Sequence, residues 1–211
     1  MEHVHGRDIH ESRAFIEALP DHGRTRALDC AAGIGRITKA LLAPLYDKVD
    51  VLEPVAAMLD QARVELAEVP AVDHYYLCSM EQHTPTETYD LVVIQWAAIY
   101  LTDADFVKVF AQYAASLTPR GYLFFKENCG CARDDTNFLV DDDDSSLTRS
   151  DVHYKKLFEQ AGLRVVREAY QKEWPAGLMP VKMYALRAKT AARAKGTAAA
   201  AAPTAPVATS V

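Results

Sequence analysis

The chain has 211 residues, half of them apolar and a quarter charged, with 9 Gly and 10 Pro, a composition that builds one sizeable core and excludes collagen-like, wholly disordered and disulfide-scaffold classes. The net charge of −6 argues against a broad nucleic-acid-binding face. No apolar run reaches the length of a membrane-spanning helix.

The first ten residues, Met1 to His10, are crowded with polar and charged side chains before any apolar stretch, unlike a secretory leader. His3 and His5 read as solvated rather than as metal ligands, and no metal site is predicted. Short apolar or β-branched runs at Ala27–Cys30, Val49–Glu53, His74–Leu77, Leu91–Gln95 and Tyr122–Lys126 predict buried parallel strands. Helices are expected between them. One spans Ile37–Leu45; a second, Val55–Leu66, starts behind Pro54. A third is capped by Thr102, runs to Ser116 and is closed by Pro119-Arg120-Gly121. A fourth is capped by Ser150 and stops at Gly162. The runs Arg164–Ala169 and Val181–Arg187 have no room for a helix between them, so they should pair antiparallel across a loop containing Trp174-Pro175-Ala176-Gly177. The pattern is an α/β, Rossmann-like, doubly wound seven-stranded sheet: five β-α repeats finished by a C-terminal antiparallel hairpin.

Residues 1–188 form one domain on this reading, and 189–211 form an Ala-rich disordered tail with no face to bury. Lys189, Arg193 and Lys195 lie in that tail, so the body carries −9. The four cysteines, Cys30, Cys78, Cys129 and Cys131, have neither disulfide-framework nor zinc-site spacing and read as reduced thiols of a cytoplasmic protein.

The run Leu28-Asp29-Cys30-Ala31-Ala32-Gly33-Ile34-Gly35-Arg36 joins the first strand to a helix. Gly33 and Gly35 let the backbone approach a ligand, and the helix start favours a negative group. Glu53 ends the second strand, 18 positions after Gly35, where a carboxylate suits two ribose hydroxyls. A dinucleotide would want a small residue at position 38, which is Thr38, whereas Arg36 suits the carboxylate of S-adenosylmethionine (AdoMet). The motif favours AdoMet over a dinucleotide.

These residues resemble the class I AdoMet-dependent methyltransferases. The strings Leu28 to Lys39, Val93-Ile94-Gln95-Trp96, Leu101-Thr102-Asp103 and Asp141 to Ser146 narrow the likeness to the protein α-N-terminal methyltransferases, from about Ile9 to Arg187. That family methylates the α-amine of proteins that begin X-Pro-Lys or X-Pro-Arg once the initiator Met is gone. The resemblance implies that Gly33 and Arg36 hold the methionine end of the cofactor and Glu53 the ribose, that Met80 and Glu81 flank the adenine, and that Gln95 lies near the methionine moiety. It implies that Trp96 packs on the substrate proline, that Asn128 bonds the first substrate residues, and that Asp141, Asp144 and Ser146 line the channel for the amine and the basic third side chain. It also implies a nuclear pool beside the cytoplasmic one.

The sequence departs from the family pattern at four places. Ala31 replaces a Gly, at a cost of about 1 kcal/mol if φ is positive there. Glu53 replaces an Asp. Tyr100 replaces a His that assists proton removal, and a phenol with a pKa near 10 is a poor base at neutral pH. Asp144 is therefore expected to accept the proton, with Asn128 and Tyr100 orienting. Met1 aligns just after a Gly-Gly turn of an upstream lid, so the native reading frame is expected to begin further upstream. Lys126 reads as a sheet-edge or supporting residue, and Asp142, Asp143, Asp134 and Asp135 as solvated acids. A small-molecule N- or O-methyltransferase and a non-catalytic interaction module lacking the lid are the alternatives. The expected partners are therefore protein N-termini with a basic third residue, not nucleic acid or membrane.

Overall fold

The computed structural model describes residues 2–130 and 138–189. Cys131, Asp134, Asp135, the side chain of His3 and the tail from residue 190 onward lie outside the described residues.

Nine strands and four α-helices are present among the described residues. In chain order they are α1 (Glu2–Glu17), β1 (Arg26–Cys30), β2 (Lys48–Leu52), α2 (Ala56–Glu65), β3 (Val72–Tyr76), β4 (Tyr89–Gln95), α3 (Asp103–Ala115), β5 (Leu117–Asn128), β6 (Phe138–Asp141), β7 (Ser146–Arg149), α4 (Asp151–Gln160), β8 (Leu163–Tyr170) and β9 (Val181–Ala188). Seven strands form one sheet in the order β3-β2-β1-β4-β5-β9-β8. The first five run parallel, and β9 pairs antiparallel with both β5 and β8. A Rossmann-like sheet with a reversed C-terminal strand is thus the architecture.

Alternation along the central strands assigns the two faces. Leu28, Val92, Ile94, Leu123 and Phe125 pack under α3 and α4, in a cluster with Phe106, Phe110, Tyr154 and Phe158. Their neighbours Ala27, Leu91, Val93, Tyr122 and Phe124 face the other way, against Phe15 and Ile16 at the end of α1, Leu19 just after it, and Leu41 and Leu42. The caps expected at Thr102 and Ser150 are present: their hydroxyls accept the amides of Asp105 and His153, both at 3.2 Å.

Several elements differ from the expectations. The helix expected over Ile37–Leu45 is a single π-helical stretch, Thr38–Leu42, closed by the Ala43 amide on the Thr38 carbonyl (2.9 Å). No helix joins β3 to β4, so the five β-α repeats are incomplete. Pro119-Arg120-Gly121 does not close α3 but lies inside β5, where the register against β4 shifts. A Cβ on Gly121 would stand 2.6 Å from the Tyr89 carbonyl oxygen, so this crossing of strands demands glycine. Lys126 is not at an edge: β5 lies between β4 and β9, and the side chain is fully buried. Two elements were not anticipated at all, namely α1 and the separate β6–β7 hairpin.

Candidate active site

The order of the sheet reverses at β1, with β2 on one side and β4 on the other, and the crevice beyond the carboxyl ends of these strands is the place where such sheets bind ligands. The Asp29–Arg36 turn lies there. Ala31 (φ 55°), Gly33 (φ 59°) and Gly35 (φ 85°) all adopt left-handed backbone. Ala31 therefore carries the strain expected of a side chain in that region. A Cβ on Gly33 would meet nothing within 4 Å, so this glycine opens its space to a ligand. A Cβ on Gly35 would lie 2.7 Å from Leu66 Cδ1, so Gly35 also makes room for the end of the α2 segment.

Glu53 is buried and ties two turns together. Its Oε2 accepts the Gly33 amide at 2.8 Å and its Oε1 the Val55 amide at 2.9 Å. Beneath the turn, Asp29 accepts the Thr38 hydroxyl at 2.6 Å, and burial pushes its carboxyl up to about 6. Met80 is buried in the core below the crevice, and Glu81 is exposed on the turn beside it.

Three polar side chains continue the α1-facing stripe of adjacent strands at their carboxyl ends: Asp29 on β1, Gln95 on β4 and Lys126 on β5. Gln95 Nε2 donates to both oxygens of Asp8 on α1 (2.9 and 3.0 Å). Its Oε1 is buried and has no partner among the described residues. Arg36 Nη1 donates to Asp8 Oδ2 at 2.7 Å and faces His5 Nδ1 at 3.2 Å, and Nη2 and Nε bond no other side chain or carbonyl among the described residues. Lys126 Nζ reaches Asp8 Oδ1 and Ser12 Oγ; burial pulls its pKa down while Asp8 holds it up.

These features fit the amino-acid end of AdoMet. An unpaired buried acceptor at Gln95 suits an ammonium, the open edge of Arg36 suits a carboxylate, and the bare backbone at Gly33 suits close approach.

Trp96 follows Gln95 with φ 50°, a left-handed conformation that a bulky residue holds only when its surroundings enforce it. Its indole Nε1 donates to Asn128 Oδ1 (3.3 Å), its ring stacks near Trp174 (6.1 Å, 27°), and Lys126 and Arg36 stand 5.7 and 5.9 Å from it. The indole N–H on Asn128 Oδ1 orients the amide so that its nitrogen is free to donate.

Beyond Asn128 opens a groove of about 640 Å³, lined by Ile99, Asn128, Met179 and the β6–β7 hairpin with Asp141, Asp144 and Ser146. The hairpin tip is fixed locally: Asp144 Oδ1 accepts the Ser146 amide and Asp141 Oδ1 the Asp143 amide, each at 3.0 Å. Asp141 to Asp144 are all exposed, and Ser146 is buried. Tyr100 lies on a 3-10 turn (Ala98–Tyr100), is 60% exposed and is not among the residues lining the groove. The structure thus brings Asn128, Asp141, Asp144 and Ser146 together and leaves Tyr100 outside.

Sequence reasoning missed two supports of this region. Glu127 is buried beneath Asn128; its Oε1 accepts the Asn128 amide (3.0 Å), and burial pushes its carboxyl up to about 8. Arg149, also fully buried, donates to Asp103 (2.8 Å) and to the carbonyls of Ala98 (3.2 Å) and Leu101 (2.5 Å), which anchors the hairpin to the turn after Trp96. No periodicity marks either residue: Glu127 follows another charge, Lys126, and Arg149 closes the largely polar run Ser146-Leu147-Thr148, so nothing in the sequence singles them out.

The sheet order, reversed last strand and glycine turn define an AdoMet-dependent methyltransferase fold. The family model described as AdoMet dependent proline di-methyltransferase matches residues 1–187, and the chain belongs to that family. It is 39% identical over 202 residues to alpha N-terminal protein methyltransferase 1 of Arabidopsis thaliana, covering 89% of this chain and 72% of the relative. It is 34% identical over 192 residues to N-terminal Xaa-Pro-Lys N-methyltransferase 1-B of Xenopus laevis, covering 88% and 84%. Among solved structures, a SAM-dependent methyltransferase from Leishmania major superposes with a TM-score of 0.84 at 61% identity, covering 89% of this chain and 74% of that one.

Proposed function

We propose that this chain transfers methyl groups from AdoMet to the free α-amine of proteins that begin X-Pro-Lys or X-Pro-Arg. The observation that carries this reading is the carboxylate-lined groove that opens at Asn128, whose side chain accepts the Trp96 indole N–H.

When bound, AdoMet supplies an electrophilic methyl; the protein must deliver an aligned, neutral amine. An α-amine has a pKa near 7.8, so neutralising it at pH 7 costs about 1 kcal/mol, against about 4.6 kcal/mol for a lysine amine. A site with exposed carboxylates and no strong base suits the first task. Asp144, whose Oδ2 is not used by the hairpin tip, accepts the proton in this reading. Asn128, held by Trp96 Nε1, presents its amide nitrogen to the first peptide carbonyl. Trp96 offers a flat face to the proline ring and a π surface to a methylated ammonium. Asp141, Asp144 and Ser146 receive the basic third side chain, which the −9 charge of the body attracts. Tyr100, exposed and outside the groove, takes neither the orienting nor the proton-accepting part in this reading.

Labelled AdoMet offered with a Ser-Pro-Lys peptide and its N-acetylated copy tests the reading. Label is expected in the free-amine peptide alone. Label in neither peptide, or in metabolites only, overturns it in favour of a non-catalytic module or a small-molecule methyltransferase.

A further inference from the structure

Asp8 belongs to α1, one helical turn before Ser12 and two before Ile16, and its side chain is 1% exposed. One carboxylate joins three parts of the site. Oδ1 takes Lys126 of β5 (2.5 Å) and Gln95 of β4 (2.9 Å); Oδ2 takes Arg36 of the glycine turn (2.7 Å) and Gln95 again (3.0 Å). Ser12 holds Lys126 from the same helix face at 2.9 Å.

We propose that Asp8 is a positioning residue for the amino-acid half of the cofactor site, presetting Gln95 to receive an ammonium and Arg36 to receive a carboxylate. The proposal rests on the AdoMet reading of the turn.

The argument for Gln95 is one of hydrogen-bond polarity. A primary amide can present either end to its surroundings, and two orientations differ little in shape. A carboxylate can only accept, so Asp8 fixes the amide nitrogen toward itself and leaves Oε1 as the buried acceptor without a partner. A ligand N–H satisfies that atom; nothing else described does. For Arg36, tethering Nη1 removes much of the rotamer freedom that a long side chain would otherwise lose on binding, and leaves a second edge of the guanidinium for a bidentate partner. Lys126 matters because it shares the charge of Asp8, so Arg36 is held without being neutralised. The same helix that covers the sheet face with Phe15 and Ile16 thus reaches back with Asp8 to set the site.

Two ligands separate positioning from mere support of the fold. S-adenosylhomocysteine carries the amino-acid end; 5′-methylthioadenosine keeps the adenosine and the thioether but lacks it. Calorimetric titration of the full chain with Asp8→Asn is expected to show S-adenosylhomocysteine binding weakened about tenfold or more, the loss of a charge-assisted bond, with 5′-methylthioadenosine within about twofold of the unsubstituted protein. Asp8→Asn strands Lys126 without its counter-charge, so the double variant Asp8→Asn with Lys126→Met provides the same comparison in a charge-balanced core. The same selective loss is expected there, and Asp8→Glu should recover part of it. Equal weakening of both ligands, or weakening of neither, overturns the proposal. Unsubstituted protein that takes up neither ligand overturns the cofactor reading and this proposal with it.

Discussion

The two halves of the crevice are built in opposite ways. On the cofactor side the polar groups are buried, save the half-buried Arg36, and each is fixed by another: Asp8 holds Arg36, Gln95 and Lys126, while Glu53 holds the amides of Gly33 and Val55. On the substrate side the carboxylates sit on an exposed two-stranded hairpin and bond only the amides of their own tip. Burial makes each polar contact costly to lose, whereas exposure leaves charge to act through solvent, at longer range and more weakly. The first half should therefore govern affinity for one invariant ligand, and the second the selection among peptides.

Substitutions on each side sharpen this contrast. The largest effect is expected for Arg36→Met, which removes the open guanidinium edge: S-adenosylhomocysteine affinity should fall about 100-fold by calorimetry, as two charge-assisted bonds are lost. A loss of only a few-fold would break the contrast. Next, Asp141→Asn, which spares the proton acceptor Asp144, should lower kcat/KM for a Ser-Pro-Lys peptide about threefold at low salt and by less at high salt, with S-adenosylhomocysteine binding unchanged. Steady-state kinetics across a salt series measure this, and a loss that ignores salt would contradict the long-range role.

Glu127 tests the boundary between the halves. Burial lifts its folded-state pKa from 4.5 to about 8. Its contribution to stability is therefore present in full below the unfolded value and is lost as pH rises through about 8. Glu127→Gln should gain stability relative to the unsubstituted chain between about pH 5 and about pH 8, by up to about 1.4 kcal/mol per pH unit. Chemical denaturation at the two pH values reads the difference, and a pH-independent gap would refute the burial argument. Smallest of all, Ala31→Gly relieves φ 55° and should stabilise the chain by up to about 1 kcal/mol, seen as a Tm rise of a few degrees.

Legibility in the sequence follows the same divide between patterned and unpatterned residues. Short apolar and β-branched runs marked the strands of the sheet, and single residues such as Thr102 and Ser150 marked the helix starts they cap. α1 escaped because its inward stripe is mixed: Phe15 and Ile16 are apolar, but the preceding inward positions are Asp8 and Ser12, which read as surface until their buried partners are known. The run Pro119-Arg120-Gly121 read as a stop because Pro and Gly punctuate chains, yet here they accommodate a register shift inside β5. The glycine turn itself was legible from Gly33 and Gly35, both of which take positive φ. The network that fixes it was not, since Asp8, Arg36, Gln95 and Lys126 meet only across the folded sheet.

The claim on which both halves converge is that the groove presents a peptide's α-nitrogen, and not a lysine side chain, for methylation. Tandem mass spectrometry of a Ser-Pro-Lys peptide incubated with the full chain and AdoMet locates the added methyl directly. Mass gained on fragments that contain the N-terminal residue, with the lysine unmodified, is the predicted result; a methyl on the lysine, with the terminus unmodified, would contradict the account.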